Sequence, residues 1–202
     1  SNSARGSNLS ASSANVSLPV VDISDDGRKI AFITKTSLDA ADTDTQTDVY
    51  LRDLDAGTTR LISVDDNAPQ GVTDVKISGD GRYIGFTSRF GFDPTDQDGS
   101  EDVYLFDTQT GEYLLISTPI GGNISGFDMS AAADRFVFST DEAINPNDTN
   151  ELRDIYVADV DLGDFAVTAR QRVSEAEGRF ELRDGDSYRP TISQDGDKVA
   201  FL

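Results

Sequence analysis

Cysteine, histidine and tryptophan are all absent from this 202-residue sequence. Without cysteine there are no disulfides and no thiolate metal ligands, and the redox compartment stays undetermined. Without histidine, the Ser-His-Asp and Cys-His arrangements are excluded, together with nearly every zinc or iron site. Any catalysis by this chain would therefore depend on carboxylates, tyrosine, lysine, serine or threonine.

Positive charge is scarce as well. Thirty-seven acidic residues oppose 17 basic ones, which gives a formal net charge of −20. The resulting negative potential repels phosphate backbones and anionic lipids, so we expect no nucleic-acid binding. No apolar run approaches the roughly 18 residues of a membrane span, which predicts no membrane insertion. The acidity suits a high-salt or extracellular setting, and it could equally serve only to keep an exposed protein in solution.

A ten-residue motif occurs four times in the chain. The first copy reads Ile-Ser-Asp-Asp-Gly-Arg-Lys-Ile-Ala-Phe, and the copies begin at Ile23, Ile77, Met129 and Ile192. Recurrence at about 50 to 60 residues indicates a repeat architecture. The third copy has Ala132-Ala133 where the others have Asp-Gly, so we expect a different turn at that point.

Each repeat is predicted to form four antiparallel strands. The motif itself supplies two of them, joined by an Asp-Gly hairpin whose Gly accepts positive φ. An Asp-Val-Tyr-Leu stretch at 48–53 predicts the third strand, with counterparts at 102–107 and 154–159. An Asp followed four residues later by Gly then predicts a tight turn into the fourth strand. Four-stranded units of this length are typical of β-propeller blades.

We therefore predict an all-β fold, a β-propeller with about three and a half blades of four-stranded antiparallel sheet present. The predicted blades span 20–71, 72–122 and 123–189, with a partial blade at 190–202, and residues 1–19 form a linker or the last strand of a preceding blade. A half-ring exposes strand edges and blade faces. We expect either a partial propeller that the same chain continues or half of a dimeric ring, a homo-oligomer.

The motif, followed by Asp-Val-Tyr-Leu-x-Asp-Leu-x-x-Gly, resembles the blade repeat of TolB-type (WD40-like) β-propellers and their bacterial secreted and surface relatives. The resemblance covers residues 20–202. It implies a secreted, periplasmic or cell-surface location. We expect a non-enzymatic module that presents loops to a protein or glycan partner. The alternative is the propeller portion of a larger enzyme, a carbohydrate hydrolase or peptidase, with its catalytic machinery elsewhere.

The loop between the second and third strands carries acids in a fixed register. All three copies read [Asp/Asn]-x-x-Asp-x-[Asp/Asn]-x-x-x-Asp, with the central Asp at one constant distance beyond the strand Phe. Such oxygens can converge on calcium, which prefers hard oxygen ligands and needs no histidine. The candidate metal ligands are Asp39, Asp42, Asp44, Asp48, Asp93, Asp96, Asp98, Asp102, Asn145, Asp148, Asn150 and Asp154.

Two other interpretations of these loops bear on function. The acids could instead form Asx turns and cap backbone amides. With two Asn, the third copy is expected to bind a cation most weakly. Catalytic acids of a glycosidase must converge at one site, whereas these recur in every blade, so we assign no catalytic residue. The tyrosines at 50, 104 and 156 are expected to pack in the core.

Overall fold

The computed structural model describes residues 20–64, 71–118, 121–146, 148–149, 152–174 and 185–202. All regular structure in these segments is β-strand, in antiparallel sheets, which confirms the predicted propeller of four-stranded blades. In the same segments, no helix has the length and hydrophobicity to cross a membrane. The prediction for residues 1–19 lies outside the described residues.

Three complete blades and one hairpin are present in the described segments. The first blade contains β1 (Val21–Ile23), β2 (Lys29–Thr34), β3 (Asp48–Asp53) and β4 (Thr58–Leu61). The second contains β5 (Val75–Ile77), β6 (Tyr83–Ser88), β7 (Asp102–Asp107) and β8 (Tyr113–Leu115). The third contains β9 (Ile124–Met129), β10 (Arg135–Thr140), β11 (Asp154–Asp161) and β12 (Ala166–Arg172). The strands β13 (Thr191–Ile192) and β14 (Val199–Ala200) form the hairpin.

The strands of each blade pair in chain order, so β1, β5 and β9 are the first strands of three successive sheets. β1 packs beside β5, and β9 beside β13, which places these strands on the inside of the array. The described sheets do not close into a ring. Accordingly, Val21 and Ile23 on β1 stay 55% and 53% exposed.

The hairpin turn of the third motif copy corrects one expectation. In the other copies a Gly adopts positive φ and donates its N–H to the motif Ser carbonyl, as Gly81 does to Ser78 at 2.8 Å. Ala133 forms the same turn with φ 60° and an N–H bond of 2.9 Å to Ser130. The expected different turn is therefore wrong. Ala133 is fully buried, so the apolar burial of its methyl group offsets the cost of a left-handed Ala.

The hydrophobic core lies between successive blades. Side chains alternate along a strand, so each central strand contacts one neighbouring blade with each of its faces. On β7, Tyr104 and Phe106 pack toward the first blade, whereas Val103 and Leu105 pack toward the third. Burial of both faces explains why β6 and β7 have buried residues at every position.

Backbone hydrogen bonds connect the inner hairpin turns across all four sheets. In each sheet, the residue that takes part in these bonds is the one directly after the Ser of the ten-residue motif. The bonds run from Asp25 N–H to the Gly79 carbonyl, from Gly79 N–H to Ala131, and from Ala131 N–H to Gln194, at 2.9, 2.8 and 2.9 Å. The repeated motif thus sets the register between blades as well as the hairpin within each blade.

Gly85 on β6 lets the second and third blades approach each other closely. A Cβ at this position would lie 3.0 Å from Cε2 of Phe127 and 3.2 Å from Cε1 of Phe136. The same motif position in the last hairpin is Ala200, which is exposed. Gly85 is therefore a packing requirement of the interface between blades.

We predict that Gly85→Val lowers the free energy of unfolding by about 1 to 3 kcal/mol, because the added methyl groups overpack this interface. The matched control Ala200→Val, at the exposed equivalent, should change it by no more than about 0.5 kcal/mol. Urea unfolding followed by circular dichroism measures both values. Equal effects of the two substitutions would contradict the assigned role of Gly85.

Candidate functional site

Each loop between the second and third strands of a blade begins with the same backbone turn. The first Asp or Asn of the pattern accepts, through its carbonyl, the N–H of the central Asp. The three bonds join Asp42 to Asp39, Asp96 to Asp93 and Asp148 to Asn145, at 3.1, 3.0 and 2.8 Å. The side chains of Asp39 and Asp93 also accept N–H bonds two residues ahead. These first acids therefore serve as turn residues.

The central Asp of each loop is held by the tyrosine of the third strand. Tyr50 donates its hydroxyl to Asp42, Tyr104 to Asp96, and Tyr156 to Asp148. All three tyrosines have no exposed surface, so their predicted packing in the core is confirmed. Burial, with the carboxylate bond, raises the pKa of Tyr50 to about 12, and it raises the pKa of Tyr104 further. The phenols therefore remain hydrogen-bond donors at neutral pH.

The last Asp of each loop accepts a hydrogen bond from the serine that lies two residues beyond the fourth strand. Ser63 donates to Asp48 at 2.8 Å, Ser117 donates to Asp102 at 2.5 Å, and Ser174 donates to Asp154. The same hydroxyl accepts the N–H of the residue after the Asp, as Ser117 does from Val103 at 3.0 Å. The Ile-Ser or Val-Ser that closes each repeat in the sequence was the available signal for this contact.

In the first two blades, three acids of the pattern come together. One carboxylate oxygen from each member lies within 4.8 Å of the others in the clusters Asp42, Asp44, Asp48 and Asp96, Asp98, Asp102. Asp39 and Asp93 are not members of these clusters. In the third blade, Asn150 lies outside the described residues. Two members of the second-blade cluster are almost completely buried, with Asp96 5% and Asp102 1% exposed.

Asp102 has the most perturbed carboxylate of the second-blade cluster. Burial raises its pKa to about 7; the Ser117 hydroxyl opposes this shift, and the charges of Asp96 and Asp98 add to it. Oδ1 accepts the Ser117 hydroxyl, whereas Oδ2 is buried and accepts no hydrogen bond of ordinary geometry from the described residues. A buried carboxylate oxygen of this kind costs free energy unless a cation or proton compensates it.

The third blade contains a basic side chain at the corresponding place. Arg172 is 4% exposed, and its Nη1 lies 3.0 Å from Oδ1 of Asp148 and 3.4 Å from Oδ2 of Asp154. It lies opposite Tyr156 on the neighbouring strand, where the other blades place Leu61 and Leu115 opposite their tyrosines. Sequence reasoning missed Arg172, although it stands two residues before the closing Ser, as those leucines do.

A second polar group, also missed, lies between the innermost strands. A cavity of about 220 Å³ is lined there by residues that include Asp22, Lys76 and Asp128. Each of the three immediately precedes the first residue of a motif copy, which was the signal available in the sequence. Asp22 accepts the N–H of Ile77 in the next blade at 2.9 Å, and Lys76 pairs with Asp128 at 3.2 Å. These contacts connect adjacent blades.

The fold and its repeated loops define a β-propeller module. One similar solved structure is TolB from Acinetobacter baumannii, at 20% identity over 90% of this chain and 36% of that chain, with a TM-score of 0.55. A putative TolB from Agrobacterium tumefaciens has 20% identity over 90% of this chain and 52% of that chain, with a TM-score of 0.58. An oligogalacturonate lyase from Vibrio parahaemolyticus has 14% identity over 89% of this chain and 43% of that chain, with a TM-score of 0.51. No family model and no curated protein sequence matches the chain. At these identities the similarity shows the fold, which is that of TolB-type propellers. The chain spans about a third to a half of the TolB chains.

We predict that Tyr104→Phe destabilises the protein by about 1 to 3 kcal/mol, because it removes a donor from the buried Asp96. Tyr50→Phe is the matched comparison, and its effect should be smaller, since Asp42 is only half-buried and water can replace the lost bond. Urea unfolding of both variants tests the order. A larger loss for Tyr50→Phe would show that burial of the carboxylate does not set the strength of these bonds.

Proposed function

We propose that this chain is a non-enzymatic β-propeller module that binds a protein or glycan partner at the bacterial cell envelope or outside the cell, in a secreted, periplasmic or surface-attached protein. One observation carries the proposal. The polar side chains that recur in the repeats are bonded to their own blade, by Tyr-to-Asp and Ser-to-Asp contacts repeated three times. A contact that recurs in every blade is typical of a structural role, whereas catalysis requires one set of groups that converge at a single site.

Charge supports a partner of a particular kind. The net charge of −20 favours a protein partner with a basic contact surface, because complementary potentials attract and orient the two molecules. An uncharged glycan would bind without that contribution. The TolB-type fold supports placement at the cell envelope, since the named neighbours are bacterial propellers. The dependence of binding on salt therefore separates a protein partner from a glycan partner.

The second candidate is an enzyme, and the cavity lined by Asp22, Lys76 and Asp128 favours it. The catalytic groups would then lie in this chain, whereas the sequence led us to expect them elsewhere in a larger enzyme. Asp74 immediately precedes β5, close enough to Lys76 and Asp128 for their charges to act on it, and its pKa is raised, mainly by burial. Burial also acts to raise the pKa of Asp128, but bonds from Thr191 and the Ile192 amide, with the charge of Lys76, outweigh burial and lower it. Two carboxyls with pKa values shifted in opposite directions suit an acid and a base.

We predict that the purified chain binds a basic protein surface and turns over no substrate. Binding to an array of cell-envelope proteins and glycans is measured by interferometry at about 0.1 M and about 1 M NaCl, where the screening length falls from about 10 to about 3 Å. A protein partner should be lost at high salt, whereas a glycan partner should remain bound.

The enzyme alternative is tested on the same preparation with glycosides, oligogalacturonate and peptides. Turnover by the chain that disappears in Asp128→Asn would overturn the non-enzymatic proposal and place the catalytic groups in the cavity lined by Asp22, Lys76 and Asp128. Turnover that Asp128→Asn leaves intact would point to a contaminant and would leave the binding module standing.

A further inference from the structure

We propose that a calcium ion binds between Asp96, Asp98 and Asp102 of the second blade, at the place that the guanidinium of Arg172 fills in the third. This inference concerns how the blade is held together, and it does not depend on the partner or location proposed above.

The first argument is the uncompensated charge of the second-blade cluster. Asp96 and Asp102 are almost completely buried beside each other, and Asp98 brings a third carboxylate within 4.8 Å. Among the described residues, nothing donates a hydrogen bond of ordinary geometry to the buried Oδ2 of Asp102, and no basic side chain pairs with any of the three carboxylates. Carboxylates in this arrangement repel one another unless a cation lies between them.

The second argument is independent and comes from the third blade. There the acids that correspond to Asp96 and Asp102 are bridged by Arg172, a cation supplied by the chain itself. The second blade has Leu115 at the position of Arg172 and Asp98 at the position of Asn150. Three carboxylates with one divalent ion, and two carboxylates with one guanidinium, both leave a single net negative charge. The two blades therefore balance charge at the same place by different means.

The chemistry of the donors favours calcium among the common divalent ions. The ligand atoms are all carboxylate oxygens, which are hard donors, and the chain has no histidine or cysteine to favour a transition metal. Calcium binds oxygen at about 2.3 to 2.6 Å, so opposite ligands can lie about 5 Å apart, whereas magnesium requires about 4 Å. The three ligand oxygens of this cluster lie within 4.8 Å of one another, which the coordination shell of calcium can span.

The first blade repeats the acidic cluster with Asp42, Asp44 and Asp48, and it also has a leucine, Leu61, opposite its tyrosine. Asp42 and Asp44 are only half-buried, so water reaches that cluster, and we make the calcium assignment for the second blade only. In the third blade the guanidinium already lies between Asp148 and Asp154, so that blade needs no metal ion. The weak binding expected of the third copy thus follows from Arg172 as well as from its Asn residues.

Calcium binding to the 202-residue chain is tested by isothermal titration with calcium chloride and by thermal unfolding in calcium and in EGTA. Calcium at about 100 times its dissociation constant should raise Tm by about 5 to 10 °C, because it binds only the folded state. Asp102→Asn should abolish calcium binding and the Tm rise. The control Asp93→Asn removes a charge from the same loop but keeps the side-chain oxygen that accepts the Thr95 N–H. It should therefore keep both the bound calcium and the Tm rise.

A gain-of-function variant tests the equivalence with Arg172 directly. The double variant Leu115→Arg, Asp98→Asn gives the second blade the side chains that the third blade has at these two positions, so it should bind no calcium and yet keep, in EGTA, the Tm of calcium-loaded wild-type protein. No Tm rise in wild-type protein at millimolar calcium would overturn the proposal. So would an equal rise in wild type and Asp102→Asn, or an equal rise with magnesium, since either result would indicate general screening of the acidic surface.

Discussion

The stability of this protein depends on the burial of each blade face against the next blade. A central strand such as β7 is apolar on both faces, so a single sheet would leave half of its side chains in water. Neighbouring blades therefore need a fixed spacing and register. Gly85 sets the spacing by admitting the aromatic rings of the third blade, and the hydrogen bonds between inner hairpin turns set the register.

The same packing of blades buries several carboxylates of the loops. The loop acids lie at the edge of the apolar interface between blades, where burial penalises their ionised form, as the raised pKa of Asp102 shows. Each blade compensates in part with a tyrosine hydroxyl and a serine hydroxyl, both from strands of the same sheet. Hydroxyl bonds satisfy lone pairs but supply no positive charge. The buried negative charge of each loop therefore remains to be balanced by an ion or by a basic side chain.

Much of the fold could be predicted from the sequence because local rules and the repeat agreed. The third strands at Asp48–Asp53 and Asp102–Asp107 have the predicted bounds, because an Asp stands at each end of the apolar segment. The turn at Ala133 could not be predicted, because the burial that compensates its positive φ comes from other blades. The position of Arg172 two residues before the closing Ser was readable from the sequence, but its contact with Asp148 depends on the folded loop. The cavity residues Asp22 and Asp128 make contacts across blades that no local pattern encodes.

The differences between repeats are more informative about chemistry than their similarities. A position that is identical in the three blades, such as the tyrosine of the third strand, is explained by packing and by its hydrogen bond to the loop Asp. The change from leucine to Arg172 on the fourth strand coincides, in the sequence of the same repeat, with the change from Asp98 to Asn150 in the loop. Each change by itself would shift the net charge of the site. An arginine beside three acids would leave two negative charges, and a divalent ion beside two acids would leave none. Together they preserve one net charge, which is the quantity that burial constrains.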